Sequence, residues 1–196
     1  PTERLSMANL TSTETTVWDP AVRLFHWTLV TAFFVGWISG DEWQDLHVYA
    51  GYLVGLLLAF RIVWGFVGPM YARFTNFVRR PYEVHRYLAD AIRLRAPRYL
   101  GHNPAGGAMV VALLGALTLT VISGLGLYAA ADFGGPLAGL VRGEFAADVL
   151  EEVHELGANS VLLLVALHLA GVLFSSLEHG ENLVRSMITG RKKAST

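Results

Sequence analysis

Apolar residues in this chain gather into four long blocks, approximately Leu24–Gly40, Val48–Val67, Gly106–Ala130 and Val153–Leu177, separated by short polar stretches. Each block is near the roughly 20 residues that a helix needs to cross a hydrocarbon core. The first is the shortest and needs its flanks, or some accommodation by the bilayer, to span. No alternating apolar–polar pattern of period two runs through the blocks, which argues against a β-barrel. No internal repeat or low-complexity tract interrupts them. The pattern predicts four transmembrane helices. Trp18, Trp27, Trp37, Trp43 and Trp64 fall near the predicted ends, where amphipathic rings settle at the lipid–water boundary.

The connections set the orientation. The link 41–46 carries Asp41, Glu42 and Asp45 without a Lys or Arg, and 131–152 carries five acids against Arg142 alone. Between them, 68–105 holds seven arginines (Arg73, Arg79, Arg80, Arg86, Arg93, Arg95, Arg98), and the C-terminus ends with Arg191, Lys192 and Lys193. Positive charge stays on the cytoplasmic side, so both termini and the 68–105 loop are expected there. That loop is predicted to contain an amphipathic helix near Tyr82–Leu94 lying on anionic lipid. The expected fold is all-α: an integral membrane four-helix bundle, N-in and C-in. A cytoplasmic segment 1–21 precedes the bundle domain 22–180, and a basic cytoplasmic tail 181–196 follows it. Residues 1–21 are polar and show no signal-peptide core.

Composition narrows the chemistry. Over the 196 residues, 53% are hydrophobic and 16% charged, and mean hydropathy is +0.43. The absence of cysteine excludes disulfides, zinc–thiolate sites, iron–sulfur clusters and thiol nucleophiles. A net charge of −1 gives no electrostatic basis for a nucleic-acid partner.

The topology sorts the seven histidines. His26 opens the first span at its inner end, and His47 opens the second at its outer end. His154 and His168 both lie on the fourth span, 14 residues apart, which is nearly four turns and about 21 Å along one face. His154 therefore comes level with His47, and His168 with His26. Two facing imidazoles at each of two depths suit a haem iron with both axial positions filled, and a porphyrin is a flat apolar disc that fits between helices. Zinc calls for about four ligands converging on one point. Such bis-His haems pass electrons rather than bind oxygen.

Arg61 lies 14 residues beyond His47, on the same face and at the inner depth, where a haem propionate would answer its charge; the alternative is a side chain that snorkels to the interface. Gly51, Gly55, Gly157 and Gly171 follow the histidines and would let a macrocycle approach the backbone, although each glycine alone reads better as helix packing. His85, His102 and His179 are expected in solvent or among headgroups. Phe33, Phe34, Tyr52 and Phe60 are expected against lipid or in the core, and Glu155 in solvent.

The stretches WDPAVRLFHW, LHVYAGYLVGLLLAFRIVWGFVGP, HELGANSVLLLVALHLAGV and ENLVRSMITGRK together resemble the bacterial cytochrome b561 family, which includes the cytochrome b subunits of nickel–iron hydrogenases. The resemblance covers nearly all of residues 17–193. It implies a dihaem b-type cytochrome of the bacterial inner membrane that exchanges electrons with quinone. It also implies His26 with His168 as ligands of one haem b, His47 with His154 as ligands of the other, and Arg61 as the family's arginine. The chain departs from some relatives at Ser175 and Ser176, where they carry a His pair, so no role of those histidines passes to it.

The expected function is electron transfer between a redox partner and the quinone pool. A periplasmic c-type cytochrome, a hydrogenase or another dehydrogenase could be that partner, and a homodimer is left open. Acidic outer residues (Asp41, Glu42, Asp45, Asp148, Glu151, Glu152) would suit a basic soluble partner, though topology alone explains them slightly better. A self-contained quinone-linked oxidoreductase, such as a superoxide oxidase or a reductase of an external acceptor, is the alternative; acidic outer loops count against superoxide. A His-lined metal transporter would need polar residues between the two His levels, and Val161–Ala166 supplies none.

Overall fold

In the computed structural model, residues 14–40, 42–132 and 134–194 are described. Most of the expected segment 1–21 therefore lies outside the described residues, as does Asp41 of the first acidic link.

Four helices are long and apolar enough to cross a membrane: α1 (Pro20–Ser39), α2 (Gln44–Val67), α5 (Pro104–Asp132) and α6 (Glu144–Glu178). The last three contain their predicted blocks, and α1 covers its block to Ser39, with Gly40 as the cap. The short first block gains a turn at its start, because the Asp19 carboxylate accepts from the Ala21 and Val22 N–H groups and Pro20 occupies the first helical position. The fourth gains more than two turns, beginning at Glu144 well outside its apolar stretch. Pro69 stops α2, whose last turn is closed by Gly68 N–H on the Trp64 carbonyl.

The basic loop is folded. A 3-10 turn (Met70–Ala72) leads into the single-turn helix α3 (Phe74–Phe77), then into the amphipathic helix α4 (Pro81–Ile92). The Glu83 carboxylate reaches back to the Arg80 N–H at 3.0 Å to start α4. Tyr82, Leu88 and Ile92 stay exposed along α4, while Tyr87 and Ala91 are buried against the bundle.

α1 packs along α2 and α5 along α6, and the two hairpins meet mainly through α2 and α5. Among the described residues, α6 comes close to α1 and α2 only sparsely. The hairpins meet where Ala32, Val54, Leu58, Leu117 and Val161 from all four helices form the buried apolar core. Phe33 packs against that core, and Phe34 and Tyr52 face outward.

The basic C-terminal tail is folded. It folds into α7 (Leu183–Thr189) and strand β2 (Arg191–Lys193), which pairs antiparallel with β1 (Glu14–Thr16). Both ends of the described chain therefore sit on one side of the bundle. Gly190 makes the turn between α7 and β2 at φ +82, a conformation that costs glycine little, and its carbonyl accepts from Val17 and Trp18. Glu181 ties the cap together, pairing with Arg98 and, at 3.3 Å, with Lys192. Lys192 is buried rather than lipid-facing, and burial holds its ammonium below the usual lysine range.

Candidate haem-binding site

Seven residues separate His154 from Val161 and seven more separate Val161 from His168; the same steps on α2 lead from His47 through Val54 to Arg61. Val54 and Val161 lie in the apolar core, so the polar side chains fall into two levels on either side of it. The level nearer the chain termini is called inner here, the other outer.

At the outer level the imidazoles of His47 and His154 face each other, with ring centroids 5.7 Å apart and planes at 76°. Each is oriented by a backbone carbonyl: His47 Nδ1 is 2.8 Å from the Gly36 oxygen, and His154 Nδ1 is 2.8 Å from the Thr120 oxygen. A carbonyl can only accept, so both rings carry their proton on Nδ1 and keep the Nε2 lone pair for another partner. Glu155 beside His154 is exposed, as expected.

Packing of α5 against α6 makes this possible. A Cβ at Gly124 would stand 2.7 Å from His154 Cε1, and one at Gly157 would stand 2.6 Å from Thr120 Oγ1. Both positions need glycine for close approach. Gly55 likewise abuts Val121 on α5, whereas Gly51 and Gly171 face open space. The four glycines singled out in the sequence thus divide: Gly55 and Gly157 serve helix packing, and a side chain at Gly51 or Gly171 would meet nothing. Gly124 is missed by sequence reasoning, because the contact that demands it comes from another helix.

At the inner level His26 and His168 are half-buried and within electrostatic range of each other. His26 Nδ1 is buried without a hydrogen-bond partner. Arg61 is 3% exposed and does not snorkel out. Its guanidinium lies 4.9 Å from the Phe74 ring and 5.8 Å from the Phe77 ring, and its Nη1 has no partner. A buried cation with an open donor is a binding group for an anion.

Two expectations about the remaining histidines are corrected. His102 is not in solvent: its ring sits 4.7 Å from Trp18 and 4.6 Å from Phe77, and its Nδ1 is buried and unpartnered. Burial, then the Arg61 and Lys192 charges, press its pKa down to about 3, so the ring is neutral. His179 is also largely covered, 3.8 Å from Glu178. His85 is exposed, as expected. Among the described residues, no three His, Cys, Asp or Glu side chains converge as a metal-binding group.

A membrane bundle with an imidazole pair on one side of an apolar core, and two further histidines on the other, offers nitrogen donors of the kind that bind haem. The sequence comparison points the same way: the profile described as prokaryotic cytochrome b561 matches residues 17–190. The chain belongs to the prokaryotic cytochrome b561 family. It is therefore a multi-pass membrane b-type cytochrome of electron transfer, and haem b is the cofactor that membership implies.

Curated relatives carry names of one kind. A probable Ni/Fe-hydrogenase B-type cytochrome subunit of Rhizobium leguminosarum bv. viciae is 25% identical, over 90% of this chain and 87% of the relative. A probable Ni/Fe-hydrogenase 1 B-type cytochrome subunit of Escherichia coli K12 is 29% identical over 57% of this chain and 59% of its own length. A Bradyrhizobium diazoefficiens protein, also a probable Ni/Fe-hydrogenase B-type cytochrome subunit, is 23% identical over 90% of this chain and 85% of the relative. No solved structure matches the chain.

Proposed function

We propose that this cytochrome carries two b-type haems, one at each His level, and connects a redox partner at the outer face with the quinone pool in a bacterial inner membrane. His47 and His154 would hold the outer haem and His26 and His168 the inner one, with Arg61 answering an inner propionate. Both termini, with the arginine-rich α3–α4 region beside them, would face the cytoplasm, where anionic lipid meets the exposed side of α4.

The observation that carries this reading is the outer imidazole pair: two rings with centroids 5.7 Å apart, each with its Nδ1 tied to a backbone carbonyl and its Nε2 lone pair left for another partner. Such outer hydrogen bonds fix the tautomer and raise the basicity of a ligating imidazole. When bound, the haems supply reversible one-electron transfer. Leu58, Leu117 and Val161 place an apolar layer between the two His levels. The hydrogenase names of the relatives support a hydrogenase-type dehydrogenase as partner, and acidic residues at the outer end give a soluble protein a charged surface to dock on.

Purified protein in liposomes tests the proposal. Haem reduction by a quinol, and re-oxidation of the reduced protein by quinone, are expected; inertness toward both would refute the quinone link. Co-purification of a dehydrogenase from native membranes is expected, and a chain that purifies alone and turns over superoxide would favour the self-contained oxidoreductase.

A further inference from the structure

Arg61 and His102 are both buried polar side chains with an unpartnered nitrogen, and both lie against the ring of Phe77: the guanidinium at 5.8 Å and the imidazole at 4.6 Å. Phe77 is itself 2% exposed, so this cluster is interior. The α3 turn reaches it because α5 has glycine at 107, where a Cβ would meet the Phe77 carbonyl at 2.4 Å. Burying a guanidinium and an imidazole with open donors is costly unless something accepts from them.

Among the described residues, no carboxylate accepts from either nitrogen. Acids of this end have other partners: Glu181 pairs with Arg98 and Lys192, Glu178 Oε1 accepts from the Ala96 N–H, and Glu14 pairs with Arg191. Asp19 exerts a field on Arg61 from a distance while capping α1. A bound anionic group would supply the missing acceptor. His26 and His168 lie within electrostatic range of His102.

We propose that His102 and Arg61 form a two-donor carboxylate site that grips a propionate of the inner haem, so that the loop before α5 anchors that haem together with its axial histidines. This rests on the two-haem reading. A neutral imidazole gives one directed N–H and the guanidinium gives charge, a combination that distinguishes a fixed carboxylate from bulk anions. The Trp18–His102–Phe77 stack holds the donor in place, and Trp18 is fixed in turn by its Nε1–H on Ser186 Oγ at 3.4 Å. A lipid phosphate offers similar oxygen chemistry, and the experiment separates the two.

The test uses a His154→Ala background, which leaves the inner haem alone, and follows haem loss to an excess of a haem-scavenging globin. Protein carrying ordinary haem is compared with protein carrying the dimethyl ester, in which both propionates are masked. The ester is expected to leave at least about tenfold faster, the order of one charge-assisted hydrogen bond. His102→Phe, which keeps an aromatic ring in the stack but no donor, is expected to release ordinary haem about tenfold faster. His102→Asn, with an amide N–H near the lost Nδ1, is expected to restore slow release. Equal loss of haem and ester from the His154→Ala parent would overturn the proposal and point to lipid phosphate, as would unchanged release from His102→Phe. A parent protein that binds no haem at all would instead refute the two-haem reading.

Discussion

The Nδ1 of His154 lies 2.8 Å from the Thr120 carbonyl, one turn before Gly124 on the same helix, and the ring fills the space that a side chain at 124 would take. The imidazole is thus aimed by α5 although it grows from α6. Gly124→Ala places a methyl 2.7 Å from His154 Cε1 and is expected to turn the ring out of line, removing about half of the haem absorbance. Gly115→Ala, whose Cβ meets nothing within 4 Å, is expected to keep the full spectrum. Haem content per chain, by pyridine haemochrome, checks both.

The two levels differ in what surrounds the imidazoles. Both outer rings donate to carbonyls, which makes them more basic ligands and favours ferric iron. At the inner level His26 Nδ1 has no partner, and the Arg61 cation favours ferrous iron. The outer haem is therefore expected to titrate at the lower potential. In a redox titration, His154→Ala should delete the lower-potential component; loss of the higher one would reverse the assignment.

Glu181 joins the tail to the loop before α5 through Arg98 and Lys192. Glu181→Gln leaves a buried lysine unpaired, which costs about 3 kcal/mol when a buried pair is broken from one side. The expected outcome is faster hydrogen exchange at residues 98–103 and 186–193, with the transmembrane helices unchanged. Uniform exchange across the chain would show that the cap is not a separate unit.

Tyr87 anchors α4 to the bundle, with Tyr99 at 5.9 Å. Burial, with Glu178 nearby, raises its phenol to about 12. The folded state keeps a proton that a free tyrosine releases near pH 10, so stability is full below pH 10 and falls between about pH 10 and about pH 12. Thermal melts across that window should decline for the parent and flatten in Tyr87→Phe.

Much of this arrangement is legible in the sequence, and the reason is periodicity. The 14-residue steps from His47 to Arg61 and from His154 to His168 mark two heights on two helices, and charged loops order those helices in space. Helix identity and the outer His47–His154 meeting follow from that one-dimensional ruler. Contacts that depend on how elements roll against each other do not. His102 reads as a loop residue because nothing local shows that Trp18, 84 positions earlier, and Phe77 will close over it. The folding of the basic tail is hidden because its partners, Glu14–Thr16 and Arg98, are remote in sequence. Gly124 is silent until a ring from α6 is laid against it.

The most direct measurement is iron porphyrin per chain in the purified protein, read with its reduced-minus-oxidised spectrum, in the parent and in His154→Ala. The account predicts two b-type haems in the parent and one in the variant, the survivor retaining bis-imidazole character. A parent with one haem or none, or a variant that keeps both, would contradict it.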